Sequence, residues 1–474
     1  MNVHRRGVRS GWRVVSALSC MAAVVPSAAQ AEVSASEVAE QGRYLAIAGD
    51  CAACHTRADG GKAFAGGYAM TSPVGIIYAT NITSSSTAGI GSYSEPQFAR
   101  ALREGIRRDG TRLYPTMPYT AYAKLSEADV HALYVYFTQV VPAVDERAPV
   151  TRLPFPFNLR TSMSIWNMLF LSTVRFTPDP RRSAVWNRGA YLAESLGHCG
   201  DCHTPRNTLM AEESGRQLAG ARIGGWYAPN ITSDPVSGIG AWTRDELVQY
   251  FKTGAVHGKA QAAGGMAEVV SNSLQYLTSE DLNALATYLL SVAPIRDRGD
   301  SRARDTWGAP IEHEAELRGR PTTAGSEQPE GDALYSGNCA SCHQPTGAGT
   351  ADHRYPALFH NSATGARHAD NLIAAILFGV DREVRGGHTF MPRFDATSYV
   401  QPLNDTEVVT LANYVLHEFG NPSVHVTSDD VAAARSRGLA KWRVQVADGV
   451  LILAGLALVT LGLWRQWRRR STHP

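Results

Sequence analysis

Three stretches of the chain repeat one pattern of apolar and polar positions. Leu125-Ser-Glu-Ala-Asp129, Leu277-Thr-Ser-Glu-Asp281 and Leu403-Asn-Asp-Thr-Glu407 each set a leucine before a good helix-capping residue (Ser126, Thr278, Asn404), with an acid three positions on. The side-chain oxygen of such a cap accepts a backbone N–H that the first turn leaves free, and the acid suits the positive end of the helix. From each leucine, another leucine follows at eight residues and a tyrosine at eleven: Leu133 and Tyr136, Leu285 and Tyr288, Leu411 and Tyr414. Those intervals keep an apolar stripe on one helical face. The pattern predicts three capped amphipathic helices, each closing a unit and packing on the helix that opens it.

The ends read differently. Arg5, Arg6, Arg9 and Arg13 precede a mostly apolar run from Val14 to Ala29, and Ala29-Gln-Ala31 fits a small-residue cleavage site, so residues 1–31 read as an export signal. Gly449 to Trp464 is uncharged over 16 residues, with Arg465, Arg468, Arg469 and Arg470 directly after it. That predicts a spanning helix over 444–464 with a cytoplasmic tail at 465–474. The expected location is therefore the inner membrane, with a single C-terminal anchor and the body in the periplasm. Without the four arginines at each end, the net charge of +2 becomes −6. A mildly acidic body argues against nucleic acid as a partner.

Between the ends, whole segments recur. Gly42-Arg-Tyr44-Leu45 matches Gly189-Ala-Tyr191-Leu192. Tyr78-Ala-Thr-Asn81-Ile-Thr83 with Gly89-Ile-Gly91 matches Tyr227-Ala-Pro-Asn230-Ile-Thr232 with Gly238-Ile-Gly240. These two units read as duplicates, and the third keeps only the frame. All three carry one pentapeptide: Cys51-Ala-Ala-Cys54-His55, Cys199-Gly-Asp-Cys202-His203 and Cys339-Ala-Ser-Cys342-His343. Two thiols on one turn with an imidazole next to them suit the attachment of a c-type haem: two thioethers tether the porphyrin, and the His reaches its iron. Zinc would need two such pairs close together, and these lie more than a hundred residues apart. A redox dithiol would need a βαβ setting, which the pattern lacks.

A methionine on the far face would close each iron to small molecules and raise its potential. Met117, Met266 and Met391 fall 62, 63 and 48 residues after their histidines, each shortly before a capped helix. Met70 competes in the first unit but has no counterpart in the second, and Met210 lies too close to its His to cross the ring. Met163 and Met168 read as packing residues. His257 and His388 share no register that would suit a second axial imidazole.

The expected architecture is all-α: three tandem c-type cytochrome domains plus one C-terminal transmembrane helix. The domains run over 32–146, 186–295 and 331–420, separated by a Pro-rich apolar linker (147–185) and a polar one (296–330), with a stalk over 421–443. Three covalently bound haems c follow, with no catalytic residue of the chain's own. No dinucleotide fingerprint or nucleophile elbow is present.

With Trp186-Asn-Arg-Gly-Ala-Tyr-Leu192 and Gly197-His-Cys-Gly-Asp-Cys-His-Thr-Pro-Arg206 around the second motif, the sequence resembles the triheme cytochrome c subunit of membrane-bound periplasmic dehydrogenases. That type serves gluconate, sorbitol and fructose dehydrogenases and quinoprotein alcohol dehydrogenase. The resemblance implies that a large dehydrogenase subunit oxidises the substrate and that electrons pass through three haems to ubiquinone. It favours a flavin (FAD) partner over one bearing pyrroloquinoline quinone (PQQ) or molybdenum, because Phe419-Gly-Asn-Pro-Ser423 and the C-terminal segment look closer to the flavin-linked branch. It leaves a small subunit open. The competing readings are a carrier feeding a terminal oxidase and a multihaem peroxidase.

Overall fold

The computed structural model describes Met1 and residues 34–72, 74–312 and 330–436. The export signal after Met1, residues 313–329 of the 296–330 linker, residues 437–443 of the stalk, the 444–464 segment and the tail lie outside the described residues.

The first unit runs α1 (Ala35–Ala48), α2 (Cys51–His55), a hairpin of β1 (Ala69–Ser72) and β2 (Gly75–Tyr78), α3 (Glu95–Glu104), α4 (Tyr119–Tyr122) and α5 (Glu127–Val135). A connecting helix, α6 (Ser162–Phe170), leads to the second unit. There α7 (Ala184–Tyr191), α8 (Cys199–His203), β3 (Ala221–Ile223), β4 (Trp226–Ala228) and α9 (Arg244–Thr253) repeat the order. The short strands β5 (Ala255–Val256) and β6 (Ala260–Gln261) precede α10 (Gly264–Asn272) and α11 (Ser279–Leu289). The third unit has α12 (Gly331–Asn338), α13 (Ala340–His343), α14 (Asp370–Phe378), β7 (Val380–Val384), β8 (Gly387–Met391), α15 (Asp405–Phe419) and α16 (Ser428–Arg435).

The closing helices form where the pattern places them. Ser126, Thr278 and Asn404 are their N-caps, and each side chain accepts the backbone N–H three residues on. Each closing helix crosses the opening one at a glycine. A Cβ on Gly42 would lie 2.0 Å from the Ala132 carbonyl oxygen, and one on Gly189 would lie 2.0 Å from that of Ala284. At Gly331 the nearest atom would be the Cβ of Tyr414, at 2.7 Å. The tyrosine eleven residues after each leading leucine (Tyr136, Tyr288, Tyr414) packs beside that glycine. One apolar core runs through the first two units, from Leu45 to Leu289, and a second core, from Ile311 to Ala434, belongs to the third.

Two expectations are corrected. The fold is not all-α: the described residues hold four two-stranded antiparallel hairpins, β1–β2, β3–β4, β5–β6 and β7–β8. Positive-φ glycines such as Gly75 and Gly387 turn these chains tightly enough to pair. Among the described residues no helix is long and apolar enough to cross a membrane. The longest of them, α15, has 15 residues, about 22 Å of rise against a hydrocarbon core of about 30 Å. The expected architecture with a C-terminal spanning helix, and the inner-membrane placement that hung on it, are therefore not supported.

Candidate haem-attachment sites

In the first two units the chain enters its Cys-x-x-Cys-His turn through a left-handed residue, Asp50 at φ 50° and His198 at φ 37°. It leaves extended at Thr56 and Thr204. One helical turn sets the two thiols of each pair on the same face, with the imidazole beside the second. None of the six cysteines in these turns forms a disulfide. Burial pushes Cys51, Cys54, Cys199 and Cys339 up to about 12 and Cys202 to about 11. Cys54 and Cys202 keep exposed surface. Cys202 also contributes to the rise at Cys54, so the first two attachment turns lie near each other.

Each imidazole is fixed from behind. The Nδ1–H of His55 donates to the Thr80 carbonyl at 2.6 Å, that of His203 to Pro229 at 2.6 Å and that of His343 to Pro356 at 2.9 Å. A carbonyl can only accept, so Nδ1 carries the proton and Nε2 is left as a lone-pair donor. Burial also holds the three rings neutral, His203 down to about 4, the state in which imidazole binds a metal. Thiols paired on one turn and a neutral, oriented imidazole are the donor set that a covalently attached haem requires, and the residues fit that group.

The repeated Tyr-Ala-x-Asn-Ile-Thr segment had no role assigned from sequence, and the structure gives it one. Its third residue supplies the carbonyl that holds the histidine, and its Asn pins the loop. Asn81 Nδ2 donates to the carbonyls of Val144 at 2.7 Å and Glu146 at 2.9 Å, and its Oδ1 accepts from Thr83. Asn230 does the same with Ile295, at 2.7 Å, and Thr232. The signal was the near-equal interval from His to carbonyl, 25 and 26 residues against 13 in the third unit.

The three candidate methionines occupy different settings, and all are partly buried. Met117 lies in the turn before α4, Met266 in the first turn of α10 and Met391 at the end of β8. Met117 packs on the core of the first two units and Met391 on that of the third. The histidines set aside are engaged elsewhere: His388 meets Asp381 at 2.8 Å, and the ring of His257 stacks on that of His353 at 3.7 Å. Between the first two attachment turns stands Tyr122. Its hydroxyl donates to the Gly49 carbonyl at 3.1 Å, and its ring meets His198 edge-on at 5.8 Å. Helix α10 packs on both α2 and β7, so it touches all three units.

The family model for cytochrome c matches residues 329–418. It finds one such domain where three were expected. The chain is 46% identical over 443 residues to the fructose dehydrogenase cytochrome subunit of Gluconobacter japonicus, covering 91% of each. It is 36% identical over 440 residues to the gluconate 2-dehydrogenase cytochrome c subunit of Pantoea cypripedii, covering 89% of this chain and 95% of that one. It is 32% identical over 458 residues to the cytochrome c subunit of the quinone-linked alcohol dehydrogenase of Gluconobacter oxydans, covering 92% of this chain and 91% of that one.

Proposed function

We propose, of a chain that belongs to the family of cytochrome c subunits of fructose, gluconate and quinone-linked alcohol dehydrogenases, that it takes electrons from a catalytic dehydrogenase subunit and delivers them to ubiquinone through three haems c. Cys51 and Cys54, Cys199 and Cys202, and Cys339 and Cys342 form the tethers. His55, His203 and His343 are the proximal ligands, and Met117, Met266 and Met391 the distal ones. The domain limits given above divide the chain accordingly, except that the third unit runs on through α16, whose Val431 and Ala434 lie in its core. The partner that suits this chain best is a flavin-bearing dehydrogenase of an alcohol, sugar or sugar acid.

The observation that carries this reading is the threefold recurrence of an imidazole with Nδ1 tied to a backbone carbonyl beside a pair of cysteines. When bound, the haem supplies one-electron chemistry. The chain's own residues do the rest. The thiol pairs fix each ring covalently, the Thr80, Pro229 and Pro356 carbonyls keep Nε2 available, and the apolar cores exclude water from one side of each turn. A methionine thioether, unlike an open position, suits transfer of electrons rather than binding of small molecules.

The test is the haem content of the purified chain, measured as pyridine haemochrome. Three haems per chain are expected, falling to two in Cys199→Ala/Cys202→Ala. Met391→Ala should remove one His/Met low-spin signature while leaving three haems attached. A wild-type count of one, in line with a single recognisable cytochrome c domain, would sink the reading.

A further inference from the structure

Two arginines among the described residues are almost fully buried, Arg103 at 4% exposure and Arg382 at 2%. Arg103 is neutralised: its guanidinium holds both oxygens of Glu127 at 2.8 Å. Arg382 has no carboxylate partner among the described residues. It leaves β7 of the third unit and crosses into the second. There it donates to the Ala262 carbonyl at 2.7 Å and to Gln261 Oε1 at 2.8 Å, with Thr389 Oγ1 of its own hairpin at 3.3 Å. Its Nε is buried without a partner. The second unit is shaped to receive it. Gly254 sits at φ 69°, and a Cβ there would fall 2.6 Å from Arg382 Cδ and 2.7 Å from Nε. A guanidinium does not lose its proton in a protein, so this is a permanent positive charge in low-dielectric surroundings, an arrangement that is costly unless something anionic lies nearby.

The place is specific. Ala262 precedes Met266 by four residues. The charge of Arg382 acts on Tyr250 of α9, whose ring meets Trp242 edge-on at 5.7 Å. The partners that Arg382 finds outside its own hairpin, Gln261 and Ala262, both lie in the second unit just ahead of Met266. Resting on the three-haem reading above, we propose that Arg382 is the third unit's means of setting the reduction potential of the haem tethered at Cys199 and Cys202, which it raises. Reduction adds an electron at the site, and a fixed cation close by favours the reduced form. A porphyrin held by Cys199 and Cys202 would bring carboxylates, the kind of anionic neighbour that Arg382 lacks among the described residues. Docking of the third unit and the poise of the second site are then one event, and Arg382 is a positioning residue for charge rather than a ligand.

Spectroelectrochemical titration of the full haem-loaded chain, resolving three one-electron waves, tests this. Arg382→Met should shift one wave toward lower potential by about tenfold in its equilibrium, about 59 mV for one electron. It should be the same wave that Met266→His moves. Arg382→Lys keeps the charge and should hold that wave within about threefold of wild type, about 30 mV. Gly254→Ala pushes the guanidinium from its slot and should lower the wave as Arg382→Met does. Asn371→Ala removes the 2.8 and 2.9 Å bonds to Tyr227 at the same interface and should leave all three waves in place. Three unmoved waves in Arg382→Met, movement of a different wave, or an equal shift in Asn371→Ala would each overturn the assignment. A haem count below three in the unsubstituted protein would instead count against the three-haem reading.

Discussion

Asp129 and Asp281 stand where Glu407 stands, three residues after the cap of a unit's closing helix, yet they are used differently. Glu407 turns back on its own helix and accepts the Asn404 N–H at 2.8 Å, completing a reciprocal capping box. The two aspartates reach across to the other unit. Asp281 accepts from the Tyr44 hydroxyl at 2.6 Å, and Asp129 accepts from Tyr191. The same two hydroxyls in turn accept the cap N–H groups of Thr278 at 3.3 Å and Ser126 at 3.1 Å. One residue pair is thus used twice, reciprocally, as in an interface between two copies of one surface. The third unit docks on the second through unlike surfaces: Arg222 with Asp370 at 2.8 Å, Asn371 with Tyr227 at 2.8 Å, and the β7–β8 hairpin on α10. Duplication gave the first two units a self-matching face and a shared core, whereas the third was fitted to them as a different body.

The largest test of that contrast is at the helix crossings. At Gly42 and Gly189 an added methyl meets a backbone carbonyl oxygen at 2.0 Å, which only movement of a whole helix can relieve. At Gly331 it meets the Tyr414 Cβ at 2.7 Å and a backbone carbonyl oxygen only at 3.3 Å, so a smaller separation of the two helices relieves it. Gly42→Ala and Gly189→Ala should each cost about 3 kcal/mol or more, and Gly331→Ala about 1 kcal/mol. Urea unfolding followed by circular dichroism reads this. The first two variants should lower the transition of the shared core, and the third should lower only that of its own unit. A loss at Gly331 as large as the others would erase the distinction.

A finer test addresses the reciprocal tyrosines. Tyr44→Phe and Tyr191→Phe each remove a hydrogen bond to a carboxylate and leave a cap N–H without its acceptor, so each should cost about 1.5–3 kcal/mol. Glu407→Gln keeps a weaker local box and should cost about 0.5–1 kcal/mol. If interunit pairing is what matters, the two tyrosine variants should lower the same transition by similar amounts. Arg188 also braces Asp281, through two bonds of 2.7 Å. It lies over the Tyr191 ring as well, at 5.9 Å, so Arg188→Met should weaken the Tyr44 side more than the Tyr191 side.

Much of this was legible in the chain because it depends on local chemistry. A cap residue, a stripe of leucines and a Cys-x-x-Cys-His turn each act within a few residues. Their positions on the sequence are their positions on the fold. The glycine at each crossing was visible in Gly42-Arg-Tyr44-Leu45 and Gly189-Ala-Tyr191-Leu192 only as a repeat, because what it makes room for lies some 90 residues away, at Ala132 and Ala284. The hairpins escaped because strands of two to five residues are too short to show alternation above chance. The direction of Asp129 and Asp281 escaped for a deeper reason. A capping acid has a local partner within reach, and only the second unit's arrival offers a better one. The three methionines could be placed by interval from their histidines, but not their settings, which are a turn, a helix and a strand end. Arg382 had no sequence signal at all, since nothing in Val-Asp-Arg-Glu-Val says that the side chain will be buried in another unit.

The smallest expected effect concerns the one place where the second–third contact should respond to mild acid. His257 of the second unit and His353 of the third stack at 3.7 Å. Burial first, and then the charge of His353, hold His257 below the usual histidine value. The nearby charges are already paired, Lys259 with Glu246 at 2.9 Å and Arg354 with Asp352 at 3.9 Å. Because the folded His257 binds its proton less readily than the unfolded chain, the stacked pair contributes stability that is present above about pH 6.5 and is lost as pH falls through that value. At the same interface Asp370 behaves oppositely. Burial alone would raise it, but His368 and Arg222 outweigh that and keep it far below the carboxylate range. Its contribution is full above the unfolded carboxylate value of about 3.9, is lost only below it, and does not change between pH 7.5 and 5.5. Going from pH 7.5 to 5.5 should therefore lower the third unit's urea midpoint slightly, on the order of a few tenths of a kcal/mol for a pair this exposed. His257→Gln should flatten that slope without changing the midpoint of the shared core. An unchanged slope in His257→Gln would place the acid response elsewhere, and a slope of equal size in the first two units would remove the contrast between their shared core and the interface of the third.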